Sequence, residues 1–263
     1  MQLKSKFSGE RARYFTGVAL LILATIVLSL DSLWLFWAVL GILYLIGAHE
    51  ALHLYQKIYG YAPNVWHYVG LTFVWCFVYI APPIESTVMI GMFVVGFLAY
   101  KGFDVHHSFI FIYPTLPFVY ILALFREFGV MAVVWLVAVV VFADVGAYFG
   151  GRLFGNIPLS PSSPKKTLEG AFVGFMFASV VGGLVGLKYV GFLYAFVTSA
   201  IMAISAIWGD LYESSLKRRA GVKDSGSILP GHGGVLDRLD AMFFAAISLH
   251  FLLCTKAAIE AAL

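Results

Sequence analysis

Charge is what this chain has least of. Asp, Glu, Lys and Arg together make up 12% of its 263 residues, where a soluble domain carries roughly 25%. The formal net charge of +3 says little as a total, and no nucleic-acid partner is expected. Cysteine is also scarce. Cys76 and Cys254 both sit in apolar runs and read as small buried hydrophobes, with no disulfide framework and no zinc-ligand spacing. Internal repeats, low-complexity tracts and loops long enough to be soluble domains are all missing. So is the strict alternation of a membrane barrel.

Apolar residues are present in excess, at 61% with a mean hydropathy of +0.91. They recur in continuous runs, so the expected class is an all-α polytopic membrane protein. Nine spans are predicted: Phe15–Leu30, Leu33–Leu52, Val65–Pro82, Thr87–Gly102, Phe109–Phe125, Val130–Gly150, Ala171–Leu187, Val190–Leu211 and Ala241–Ile259. Residues 1–15 are basic, but no small-residue cleavage pattern follows the first run, so it is expected as a spanning helix rather than a cleaved leader. The chain is expected to be a single integral-membrane domain, with spans 1–5 in residues 1–128 and the catalytic helices and loops in 129–263.

With the N-terminus in the cytoplasm, inside segments hold Lys4, Lys6, Arg11, Arg13, Lys57, Lys101, Arg152, Lys165, Lys166, Lys217, Arg218, Arg219, Lys223 and Arg238. Outside segments hold Arg126, Lys188 and Lys256. Fourteen against three is the bias that orients membrane helices. It puts the C-terminus outside and both long polar loops, 151–170 and 212–240, in the cytoplasm.

Polar chemistry is concentrated in the last four spans. Asp144, inside the sixth run, shares a helix face with Tyr148 and Gly151. An acid at that depth is expensive and marks function unless an arginine neutralises it for packing alone. Ser163, Lys165, Lys166 and Thr167 lie just ahead of the seventh helix, where cations and free N–H groups together make an anion site. The alternative is a basic loop that anchors to lipid headgroups. Asp210, Glu213 and Lys217 fall on one face at the end of the eighth span, and Asp237 and Asp240 on the first turn of the ninth. Carboxylates at one boundary suit Mg2+, with substrate phosphates completing its shell. Asp210 is expected near a helix C-terminus, where an acid is unfavourable unless a metal holds it. Between them, Gly231, His232, Gly233 and Gly234 lie beside Lys223 and Arg238, a turn through which backbone can approach phosphate.

The stretch Ser215, Leu216, Lys217, Arg218, Lys223, Asp224, Gly226, Leu229, Pro230, His232, Gly233, Gly234, Val235, Asp237, Arg238, Leu239, Asp240 resembles the phosphatidate cytidylyltransferase (CDP-diacylglycerol synthase) family. The run Ser163 to Gly170 and the pair Asp144 and Tyr148 are similar too, while the first half matches only in hydropathy. The resemblance implies the reaction of CTP with phosphatidate to give CDP-diacylglycerol and pyrophosphate. It implies a paired-metal centre on Asp210 and Asp237, with Mg2+ as the divalent ion beside a second, monovalent cation. Lys165, Lys166, Lys223, His232 and Arg238 are expected to hold phosphates, with Gly233 and Gly234 lining the same turn. Asp144 is expected either behind the groups that hold metal and substrate or as an inner-cavity acid. Lys217 and Arg218 are expected either at the substrate or as surface anchors. The resemblance is compatible with a homodimer, whose interface the sequence does not reveal. Compact size suggests a multi-pass bacterial inner-membrane enzyme facing the cytoplasm. Two other classes remain: a CTP-dependent kinase of a lipid alcohol, and a transporter.

Overall fold

The computed structural model describes residues 17–229, 231 and 233–263. His232, one of the expected phosphate-binding groups, lies outside the described residues. So do Pro230 and the basic residues before 17.

The helices are α1 (Gly17–Ser29), α2 (Leu33–Tyr59), α3 (Val65–Ile80), α4 (Pro83–Lys101), α5 (Leu116–Phe128), α6 (Val130–Phe154), α7 (Leu168–Val185), the short α8 (Leu187–Val190), α9 (Phe192–Arg219) and α10 (Leu236–Ala262). Among the described residues, seven segments are long and apolar enough to cross a membrane, and α1 and α3 are shorter apolar helices. Local chemistry sets the ends. Ser32 caps α2, whose last turn closes on left-handed Gly60; Asn64 and His67 form a reciprocal cap on α3; Pro83 opens α4.

The structure corrects the sequence expectation in several places. The fifth span is not one helix: irregular turns at Val105–Ser108 and Phe111–Thr115 precede α5, with Tyr113 extended (φ −132°, ψ 124°) next to Pro114. Proline lacks the N–H that a continuous helix needs there. The loop expected at 212–240 is shorter, because α9 continues to Arg219 and α10 begins at Leu236. Asp210 therefore lies inside α9, more than two turns from its end, and the helix-dipole argument for a metal at that position does not hold. The loop expected at 151–170 contains an antiparallel hairpin, β1 (Pro158–Ser160) with β2 (Ser163–Thr167). Cys76, expected to be buried, is exposed.

The chain divides into two compact units: Met1–Leu122 with Leu216–Leu239, and Ala123–Ser215 with Asp240–Leu263. In the first, Tyr44 is fully buried. Its ring stacks on Trp75 at 4.8 Å and meets the edge of Phe118 at 5.5 Å. Its hydroxyl lies 3.2 Å from Thr115 Oγ1. Trp37 and Trp75 donate their indole N–H groups to each other's carbonyls, at 3.0 and 3.3 Å. In the second, Trp135 donates to Ser199 Oγ at 2.9 Å, Tyr194 to the Leu252 carbonyl at 2.7 Å, and Ser205 and Ser248 pair at 2.6 Å. Lipid gives helices no hydrophobic reason to associate, so such polar contacts and close packing must join them.

The closest packing in the second unit is α6 on α7, where small residues let the backbones touch. A side chain at Gly174 would run into the Ala143 carbonyl and the Ala147 backbone, and one at Gly146 into Gly174 itself. Gly174→Val should therefore destabilise the protein by about 1–3 kcal/mol or prevent assembly, read as a lower thermal midpoint in detergent. The same change at Gly96, where a side chain would meet nothing, should leave the midpoint nearly unchanged.

Candidate active site

In the first unit, the loop after Arg219 is shaped by two carboxylates. Glu50, on α2, is 5% exposed. It accepts from the backbone N–H groups of Val235 and Leu236 at 3.0 Å each and from Ser225 Oγ at 3.1 Å. Asp237, on the first turn of α10, accepts at Oδ2 from Ser225 N, Ser225 Oγ and Gly234 N, at 2.9, 3.0 and 2.8 Å. Its Oδ1 takes the ammonium of Lys217 at 2.6 Å, with both side chains buried (11% and 6% exposed). A buried charge is tolerable only when paired and hydrogen-bonded, and these two meet that condition together.

The glycines follow from this arrangement. Gly233 has φ +81°, and a side chain there would meet the Asp237 carboxyl. One at Gly234 would displace Ser225 Oγ and Glu50. Leu229 donates to the Gly233 carbonyl at 3.0 Å and closes the turn. Lys223, Arg218 and Arg238 are exposed, and the Arg218 guanidinium donates to the Val222 carbonyl at 3.3 Å. Lys217 is thus no surface anchor; it is the partner of Asp237.

In the second unit, the hairpin delivers one lysine to an acid. Strand residues alternate in direction, so Lys165 is exposed while Lys166 reaches Asp210 Oδ2 at 2.6 Å. Ser163 pairs in register with Ser160. Thr167 caps α7, its hydroxyl accepting from Gly170 N at 3.2 Å. Glu169 accepts from Asn156 N and Ile157 N and ties the hairpin base to the same helix. Asp240 has Glu213 and Asp210 as electrostatic neighbours and shares a side-chain hydrogen bond with Glu213; Glu213 is fully buried. Carboxyl groups this close repel unless a proton or a cation lies between them. Oxygen donors of this kind fit Mg2+. Asp144 lies on an exposed part of α6, whereas Gly146 and Gly150 face α7.

Sequence reasoning missed Glu50. Its signal was available as an acid within an apolar run, but the first half of the chain had been credited with little chemistry at depth. Asp240 and Glu213 were noticed but left out of the expected site. Replacing Glu50 with Ala leaves two buried N–H donors without an acceptor. The expected destabilisation is about 3 kcal/mol or more, together with faster proteolysis within 220–235 than in the parent protein. Equal cleavage rates would mean that Glu50 does not hold the loop.

Comparison with known proteins supplies a family for this arrangement. The model of the cytidylyltransferase family matches residues 11–255. Two proteins named phosphatidate cytidylyltransferase, from Helicobacter pylori strains J99 and 26695, are each 46% identical over 257 residues, covering 95% of this chain and 94% of their own. A protein of the same name from Thermotoga maritima is 41% identical over 145 residues, about half of each chain (51% and 53%). On this match, which spans nearly the whole chain, the protein belongs to the cytidylyltransferase family.

Proposed function

We propose that this protein is a phosphatidate cytidylyltransferase, converting CTP and phosphatidate into CDP-diacylglycerol and pyrophosphate. The observation that carries the reading is the 46% identity with proteins of that name over 95% of the chain. The polar residues of the motif match the family's pattern without exception.

The reaction needs no activated serine or cysteine. The nucleophile is a phosphate oxygen of the lipid, already anionic at neutral pH. It attacks the α-phosphorus of CTP and pyrophosphate leaves. The barrier comes from bringing two anions together and from charge growing on the leaving group, so positioning and charge stabilisation supply most of the catalysis. Mg2+, when bound, would neutralise triphosphate charge and stabilise the departing pyrophosphate. The family resemblance assigns Asp210 and Asp237 as its ligands, with a monovalent cation as a second ion. Asp210 has further carboxyl groups beside it, in Glu213 and Asp240. Among the described residues, Asp237 Oδ1 accepts from Lys217 alone and retains a lone pair.

The remaining roles belong to the chain. Lys217 holds the Asp237 carboxylate in place, and Glu50 holds the backbone from which Gly233 and Gly234 approach the substrate. Lys165, Lys223 and Arg238, all exposed, are suited to phosphates arriving from water, and His232 is assigned to the same task. Lys166, poised on Asp210, would pass to a phosphate oxygen when substrate enters. Ser163, Thr167, Arg218 and Asp144 are assigned to substrate binding as well.

Phosphatidate stays in the bilayer and CTP stays in water, so the transfer belongs at the headgroup plane. We place the reaction at the cytoplasmic face of a bacterial inner membrane, with nine spans, the N-terminus inside and the C-terminus outside. Support comes from nine apolar helices or helical segments among the described residues and from the lysine and arginine bias.

With CTP labelled at the α-phosphorus, label should enter the lipid and pyrophosphate should be released. Release of CDP instead would indicate a lipid-alcohol kinase. Asp210→Asn should lower kcat by about a hundredfold or more without loss of the folded state. Asp237→Asn should lower it as much and also lower the thermal midpoint, because it leaves the buried Lys217 ammonium without its counter-charge. Arg126→Ala should be close to silent. Near-normal rates in both Asn variants would remove the metal assignment. For orientation, a single cysteine at position 263 in a protein otherwise free of cysteine should react with a membrane-impermeant maleimide in intact cells, and one at position 221 should not.

A further inference from the structure

Away from the motif, the second unit brings together three side chains that no step above employs. Glu127 lies on the last turn of α5, and His250 and Cys254 lie one turn apart on α10. One ligand atom from each is within 4.8 Å of the other two. Glu127 Oε2 is 2.8 Å from His250 Nε2. Cys254 Sγ is 3.7 Å from His250 Nδ1 and 3.8 Å from Nε2. The imidazole is 10% exposed and set edge-on against Phe128, while the Glu127 carboxyl is 38% exposed and accessible.

We propose that Glu127, His250 and Cys254 form a binding site for a divalent transition metal, Zn2+ above all. Residues i and i+4 of a helix project to one side, so His250 and Cys254 act as a preformed pair that Glu127 completes. Tetrahedral zinc with bonds of about 2.0 Å to N and O and 2.3 Å to S would separate N from O by about 3.3 Å and N from S by about 3.5 Å. The observed 2.8 and 3.8 Å lie on either side of these values, and the three ligand atoms, all within 4.8 Å of one another, must draw together to complete the site. Imidazole, thiolate and carboxylate together select zinc-like ions, whereas Mg2+ and Ca2+ take oxygen ligands. Three protein ligands leave a fourth position for water. The position is separate from the reaction chemistry: Cys254 lies about 20 Å along α10 from Asp240 at the helical rise. A plain ion pair between Glu127 and His250 would explain two of the groups. Helical spacing brings the thiol beside the imidazole, but only the tertiary fold brings the Glu127 carboxyl from α5 to the same point. The pair His49 and His53, with Nε2 atoms 3.2 Å apart, is a lesser candidate because no third donor joins it among the described residues. Glu50, between them in sequence, is turned to the loop instead.

The test uses the full chain in detergent, stripped with a chelator and titrated with Co2+ in the presence of excess Mg2+. A bond from Co2+ to a thiolate gives a near-ultraviolet charge-transfer absorption, and only two cysteines can supply it. The expected result is a band saturating at one equivalent and removed by Zn2+. It should be abolished in Cys254→Ser, weakened about tenfold or more in affinity in His250→Ala and Glu127→Gln, and unchanged in Cys76→Ser. In the unmodified protein, Zn2+ should also slow alkylation of Cys254 but not of Cys76, a measurement that needs no variant to fold. Absence of the band, its persistence in Cys254→Ser, indifference to His250→Ala or Glu127→Gln, or equal alkylation with and without Zn2+ would each overturn the site. Because absorption and alkylation are read rather than turnover, these outcomes leave the assignment of the activity untouched.

Discussion

Two carboxylates turned away from water hold the glycine-rich loop of the first unit in shape. Glu50 and Asp237 each sit where an uncompensated charge would cost several kcal/mol, and each is met by backbone N–H groups of the same loop. Backbone donors cannot be swapped for other side chains, so the loop has one conformation that satisfies both acids. Ser225 bridges them: its N–H donates to Asp237, and its single hydroxyl proton is shared between Glu50 and Asp237, 3.1 and 3.0 Å from Oγ. Lys217 completes the set as the counter-charge. Positive φ at Gly233 and the crowding at Gly234 are consequences of the same geometry. The glycine-rich stretch is shaped by the charges around it.

The second unit follows a different logic. Its helices are joined by close backbone contact at Gly146 and Gly174 and by single hydroxyl or indole bonds such as Trp135 to Ser199. Its acids, Asp210, Glu213 and Asp240, are gathered side by side, with Lys166 from the hairpin on Asp210. In the first unit, donors surround the acids and leave little unspent. In the second, like charges crowd together, an arrangement that favours a cation. The first arrangement is a fixed frame; the second is a group of charges that only a proton or a cation can balance.

Much of this was legible in the sequence where the signal is local. The apolar runs marked the helices, Lys165 and Lys166 stood just ahead of α7, and Asp237 fell on the opening turn of α10. The motif from Ser215 to Asp240 pointed to the family because its polar spacing is dense and unusual. What remained hidden depends on distant parts of the chain. Glu50 acquires its role from residues 225 to 236, far along the sequence, and nothing around position 50 announces this. Lys217 read as one more basic residue on a helix end because burial is a tertiary property. Asp210 was placed at a helix end because the hydrophobic run stops there, yet polar residues at 212–219 continue the helix through backbone bonding alone. The break before α5 was missed because apolar composition ran on across Pro114.

The position of Glu50 has a consequence for dissecting the molecule. Every residue of the recognisable signature lies after residue 140, which invites expression of that half as a minimal enzyme. Such a fragment would begin without the side chain that shapes its own loop, and its two buried amides would find only lipid or water. The second helix is a splint set in advance of the limb it supports: the chain lays it down first, and a chain given a different helix there would need an equivalent acid to keep the loop in shape.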